Sequence, residues 1–185
     1  MANAYGYHVI KDTNQQAIIK LTGIFDGTTQ EANTKRIQAN SLFGALNSNS
    51  TPSLLNQGST QVGTALPYYG LTFSRIWYDT NIGNKQSGTT PGVITVSWSA
   101  TNAANSANVF YITGTSTWSD SANWATIPNN AGVDRTGDVG ITTSGAVAGT
   151  AYTIIIEFRK DNTHYQRGHL SDPAAFNYGS YGVTP

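Results

Sequence analysis

Hydrophobic and polar positions alternate in short runs along this chain, and no segment sustains a helical period. The cleanest run is 151–160. There Tyr152, Ile154, Ile156 and Phe158 face one way, and Thr153, Ile155, Glu157 and Arg159 the other. Ile155 is apolar among the outward set, which predicts that part of the second face is also covered. In 93–99, Ile94, Val96 and Trp98 point inward while Thr95, Ser97 and Ser99 point outward. In 17–25, Ile19, Leu21 and Phe25 share one face, and Lys20, Thr22 and Ile24 the other. Residues 69–78 form a strand that changes phase: Leu71 and Phe73 set one, Ile76 and Tyr78 the other. The shift predicts a β-bulge near Ser74-Arg75. Shorter strands are predicted over 5–11, 36–46, 109–113, 124–127 and 138–143.

Turn residues punctuate these runs at Asp26-Gly27, Pro128-Asn129-Asn130 and Asp161-Asn162. Residues 47–64 and 79–92 read as polar loops. The pattern predicts an all-β fold, an antiparallel β-sandwich of about eight strands with extended terminal arms. Periodicity leaves jelly-roll and immunoglobulin-like topologies open. Residues 1–10 read as an N-terminal arm or edge strand, 11–163 as the sandwich, and 164–185 as an extended C-terminal arm. That arm carries Tyr165, Phe176, Tyr178 and Tyr181 without alternation. Its aromatics would either anchor on a neighbour or fold back on the parent domain.

Composition narrows the function classes. The 185 residues include no Cys, three His, one Met and only two Glu, Glu31 and Glu157. Charged residues are 11% and the net charge is zero, which leaves little self-repulsion against association. Lys35-Arg36 and Arg159-Lys160 are isolated basic pairs, so nucleic-acid binding is not expected. No apolar run reaches the roughly 18 residues of a membrane helix, and no membrane partner is expected. The opening Met1-Ala2-Asn3-Ala4-Tyr5 has no secretory signal pattern, which points to synthesis in a cytoplasm.

Candidate chemistry is sparse. There is no Gly-x-Ser-x-Gly elbow, no phosphate-binding loop and no His-Glu-x-x-His. Glu31 and Glu157 would make a glycosidase pair only if folding brought them close. His164 and His169, with Asp161 and Asp172, match no zinc spacing of known mechanics. Asp79-Thr80-Asn81-Ile82-Gly83-Asn84 resembles the start of a calcium loop but lacks a closing Glu, and an Asx turn explains it as well. The chain is expected to be no enzyme, with no cofactor and no metal. Trp98 reads as core and Trp77 as ambiguous. Trp118 and Trp124 bracket a polar loop and are the candidates for a glycan contact. Tyr5, Tyr7, Tyr165, Phe176, Tyr178 and Tyr181 are the candidates for contact with a protein neighbour.

Several phrases resemble small virion proteins of tailed phages that infect marine bacteria and cyanobacteria. They are the run from Lys11 to Gly27, Arg75-Ile76-Trp77-Tyr78, Trp124 to Asn130, Thr136 to Thr143, and Ala151 to Asp161. The resemblance spans roughly residues 8 to 161. It implies a virion structural protein on the capsid surface, a decoration or cement protein, made in the host cytoplasm. Its partners would be the major capsid protein and other copies of itself, as a dimer or trimer. The alternative is a receptor- or glycan-binding head-fibre or tail module.

Overall fold

The structure, a computed structural model, describes residues 3–13, 15–43, 70–84, 86–87, 90–119, 126–132, 134–161 and 165. Its strands in chain order are β1 (Ala4–Asp12), β2 (Gln16–Ile24), β3 (Thr34–Ile37), β4 (Leu71–Thr80), β5 (Gln86–Ser87) and β6 (Thr90–Pro91). Then come β7 (Val93–Ala100), β8 (Ala107–Ile112), β9 (Ser116–Ser119), β10 (Ile127–Pro128), β11 (Arg135–Ser144) and β12 (Ala151–Lys160). Among the described residues the only helical pieces are three short 3-10 turns.

A six-stranded sheet runs β1-β2-β12-β4, and the far edge of β4 is shared by β10 and β9. A four-stranded sheet runs β3-β11-β7-β8. Every pairing is antiparallel. The chain is therefore an all-β antiparallel sandwich. One sheet sets β2, β12, β4 and β9 side by side, and the other sets β3, β11, β7 and β8. That order, first strand beside last and second beside next-to-last, is the jelly-roll order. The immunoglobulin-like alternative, which keeps ABED against CFG, does not fit it.

The core lies between the sheets. β2 contributes Ala17, Ile19 and Leu21, β12 contributes Ile154, Ile156 and Phe158, and β7 contributes Ile94, Val96 and Trp98. Phe73 is its aromatic centre. Its ring centroid is 4.4 Å from Trp98, 5.0 Å from Phe158 and 5.4 Å from Phe110. Phe110 passes the stack on to Trp118 at 5.5 Å. The bulge falls where the phase shift predicts. Glu157 pairs with Arg75 and Phe158 with Phe73, so Ser74 is the inserted residue. The extra residue puts Leu71, Phe73 and Ile76 all into the core.

Three features differ from expectation. The strand predicted over 36–46 stops at Ile37, because the chain turns into a 3-10 turn at Ala39–Ser41, where the Asp138 carboxylate accepts the Ala39 N–H at 3.0 Å. Residues 44–46 lie outside the described set. Ser97 and Ser99 are buried, not outward to water, because Asn33 covers them: its Oδ1 accepts from Ser97 Oγ at 3.2 Å and from Ser99 Oγ at 3.4 Å. β9 is an unpredicted strand, since Ser-Thr-Trp-Ser carries too few apolar positions to show a period. The edge-strand alternative given for the N-terminal residues holds, for β1 pairs along β2.

Candidate functional site

Three titratable clusters could in principle do acid-base work, and each is consumed by structure. Glu31 is buried between the sheets. Arg36 Nε donates to its Oε1 at 2.5 Å and Tyr152 Oη to its Oε2 at 3.0 Å. Burial pushes the Glu31 carboxyl above its ordinary value, against the pull of Arg36. Burial and the Glu31 charge push the Tyr152 phenol further up, so it stays a donor. Tyr152 reaches Glu31 by crossing Gly23, where any Cβ would collide with its ring. Arg36 in turn lies 3.7 Å from the ring centroid of Tyr5.

The second cluster surrounds Lys160, whose side chain is fully buried. Its ammonium donates to Asp12 Oδ1, to Thr13 O at 2.7 Å and to Phe43 O at 2.8 Å. Burial lowers its pKa, and Asp12 opposes the shift. Three donors meeting three acceptors make a clamp between the end of β12, the β1–β2 turn and residue 43. The third, Glu157, accepts from Gln16 Nε2 at 2.6 Å on the outer face of β12. Glu31 bonds to the inward Tyr152 and Glu157 projects outward, so the fold does not assemble them into a glycosidase pair.

In the Asx-rich segment at the end of β4, Thr80 and Asn81 are spent on holding the start of β12. Thr80 Oγ1 donates to Ala151 O at 2.7 Å, and Asn81 Oδ1 accepts the Ala151 N–H at 2.8 Å. Among the described residues no three His, Asp or Glu side chains converge on a metal position. His164, His169 and Asp172 lie outside the described residues. No helix among the described residues is long and apolar enough to cross a membrane.

The predicted contact residues separate. Tyr165 is a correction: it is fully buried in its own domain, donating from Oη to Ala39 O at 2.9 Å, with Lys160 Nζ 4.9 Å from its ring centroid. Its hydroxyl finds a buried carbonyl and its ring a buried cation, so it packs against its own sandwich. Phe176, Tyr178, Tyr181 and Trp124 lie outside the described residues. Trp118 is half-buried, opposite Ile76 on the core side of the sheet and against Phe110. Tyr5 and Tyr7 are exposed on β1, and Tyr7 is 48% accessible.

β1 is nine residues long and is exposed at every position but its last. Opposite residues in an antiparallel pair share a face, so Tyr5, Tyr7 and Val9 point the same way as Gly23, Leu21 and Ile19. Leu21 and Ile19 are fully buried, while Val9 is 40% exposed. β1 therefore extends the core-facing side of the sheet past its cover. Ile10, 50% exposed, is the bulged residue between Val9 and Lys11. The outer backbone edge of β1 pairs with no strand among those described. An apolar strip beside an open edge is a template for another chain.

A second feature lies on the outer face of the same sheet. The register aligns Gly6, Thr22, Thr153 and Asp79 in one row across β1, β2, β12 and β4, with Ile155, Trp77 and Thr117 in the next. Two adjoining grooves of about 760 and 410 Å³ follow these rows and share Asp79, Thr115 and Thr153. A Cβ at Gly6 would collide with Thr22 Oγ1, so glycine leaves the first groove open towards β1. Sequence reasoning missed this site as a site. Its signal was the out-of-phase Ile155, which lines the smaller groove.

A scan against protein-family models finds no match to this chain, and a search of curated proteins finds none either.

Proposed function

We propose that this protein is a non-enzymatic structural component of a phage virion, and specifically a capsid decoration or cement protein that binds between major capsid subunits. The observation that carries the reading is β1: a long edge strand with Tyr5, Tyr7, Val9 and Ile10 exposed beside a backbone edge that no described strand pairs. Monomers that stay monomeric usually blunt such edges. This one sits on a sandwich whose buried Glu31 and Lys160 are paired internally, which makes the domain a firm support for that margin. Zero net charge suits dense packing on a lattice, and many weak copies gain from multivalency. The likeness to small phage virion proteins points the same way. Jelly rolls serve in viral capsid and lectin domains alike, so the topology by itself does not choose the role.

In this reading the partners are the major capsid protein and further copies of the chain, as a dimer or trimer, and the place of action is the capsid surface. The test is co-sedimentation of the full-length protein with capsids of the encoding phage that lack it. Saturable binding at hundreds of copies per particle is expected. Binding at a dozen copies or none contradicts the role. The second reading, a receptor- or glycan-binding head-fibre or tail module, is favoured by one observation, the groove beside Trp77.

A further inference from the structure

We infer that the outer face of the six-stranded sheet carries a binding site for a neutral saccharide, with Trp77 as its stacking platform and Asp79 as its principal hydrogen-bonding group. The inference rests on the second reading alone, and it stands or falls separately from capsid binding.

The argument starts from an anomaly in the alternation. An antiparallel sheet with one wet face places polar residues on that face. On β12 and β4 the wet face holds Thr153, Glu157, Arg75 and Asp79, but also Ile155 and Trp77, directly opposite each other. Both are half-buried, and both line the smaller groove. Their pairing exposes a contiguous apolar surface where a single Thr or Gln would serve the fold. Such a patch in a polar surround marks a binding site.

The surroundings define the ligand. The smaller groove is walled by Trp77, Ile155 and the Thr117 and Thr153 side chains, and it opens at one end onto Asp79 and Thr115. Thr115 Oγ1 donates to Asp79 Oδ1 at 2.5 Å, which fixes the carboxylate on the exposed strand end. Asp79 Oδ2 accepts no hydrogen bond from a described residue, so it is available to a hydroxyl. The larger groove continues from Asp79 past Thr153 and Thr22 to Gly6. Among the described residues no Lys, Arg or His lines either groove. Arg75, 6.0 Å from the Trp77 ring centroid, belongs to the next row with Glu157. In the Trp77 row, Lys20 and His8 lie beyond Ile155.

Each ligand class is then weighed by its chemistry. A phosphate or carboxylate would meet Asp79 and no countercharge. A lipid chain would leave the Asp79 and threonine oxygens unpaired, at a cost. A pyranose ring satisfies both halves. Its C–H face covers the indole, as an apolar body should, and its hydroxyls donate to Asp79 and exchange hydrogen bonds with Thr153 and Thr115. The length of the joined grooves, across β4, β12, β2 and β1, suits several sugar units rather than one. Few polar groups placed around an apolar floor is the usual make-up of a small-ligand site.

The test is titration of the full-length protein with a panel of neutral hexasaccharides built from glucose, galactose, mannose or N-acetylglucosamine, read by NMR and calorimetry. At least one is expected to bind with millimolar or better affinity, shifting the Trp77 indole and Ile155 methyl resonances and leaving those of Trp98 unmoved. Trp77→Ala and Asp79→Asn are each expected to weaken it by about tenfold or more, an effect of about 1.4 kcal/mol. Should Trp77→Ala fail to fold, Asp79→Asn and the wild-type resonance map still decide. The proposal is overturned if no member of the panel binds at millimolar concentration. Binding that perturbs other residues, or that survives both substitutions, overturns it as well.

Discussion

Glu31 shows how a single residue can look like chemistry and serve architecture. One of two glutamates in the chain, it lies where its carboxyl is buried, held by Arg36 and Tyr152. Removing one partner leaves a buried charge uncompensated, so Arg36→Met should cost about 3–5 kcal/mol in urea unfolding. Tyr152→Phe deletes one hydrogen bond and should cost about 1–3 kcal/mol. The pH dependence carries a definite sign. The folded-state pKa of Glu31 is raised, so the native state keeps its proton where the unfolded chain has lost it. Its contribution is fully present below the ordinary glutamate range and is lost as pH rises through the raised value. The stability of wild type relative to Glu31→Gln should therefore fall as pH rises above the ordinary glutamate value of about 4.3, measured by parallel denaturant curves. A difference that rises with pH there would contradict the assignment. Glu31 and Arg36 are near neighbours in the chain, but the cluster was not legible in the sequence, because Tyr152 lies far from both and only topology brings it to Glu31. Trp98 was legible, because its phase with Ile94 and Val96 is local.

At the scale of the element, local pattern was informative wherever a strand has one dry face and one wet one. β12 appears with the bounds its alternation predicts, and the phase break in β4 locates the Ser74 bulge. The pattern failed where both faces are covered or where the element is too short to have a period. Ser97 and Ser99 on β7 lie under Asn33, a residue distant in sequence. β9 and β10 are too brief to read. The bulge itself makes a test. Deleting Ser74 would leave a regular ladder in which Leu71, Phe73 and Ile76 alternate onto the core face. Phe73 is the hub of the aromatic core and keeps its place, so the deletion should retain cooperative unfolding, whereas deleting Thr72 would turn Leu71 outward and should destabilise. Loss of the cooperative melt on deleting Ser74 would sink the bulge account. The Lys160 clamp works at the same scale: it ties β12 to the β1–β2 turn. Lys160→Met should destabilise by about 3–5 kcal/mol, and a second change at Asp12 to a non-polar residue should recover part of that loss.

For the whole molecule, an interior whose charges are paired and an open margin belong to one design. Both sheets are held by a continuous core, and the buried charges are paired internally. What remains unspent lies on β1 and on the outer face next to Trp77. The contact role expected of Tyr5 and Tyr7 fits that exposed margin, whereas Tyr165 serves its own core. The sequence could not separate these tyrosines, since their burial depends on which strand runs past the edge of the opposing sheet. The account's central claim is that β1 is the adhesive surface and the sandwich its rigid support. The most direct measurement counts copies bound per capsid for wild type and for a Tyr7→Lys/Val9→Lys double variant, with thermal unfolding of both proteins recorded alongside. Both side chains are exposed, so the account predicts an unchanged melting temperature and a loss of nearly all bound copies. Full occupancy by the variant at wild-type affinity would contradict it.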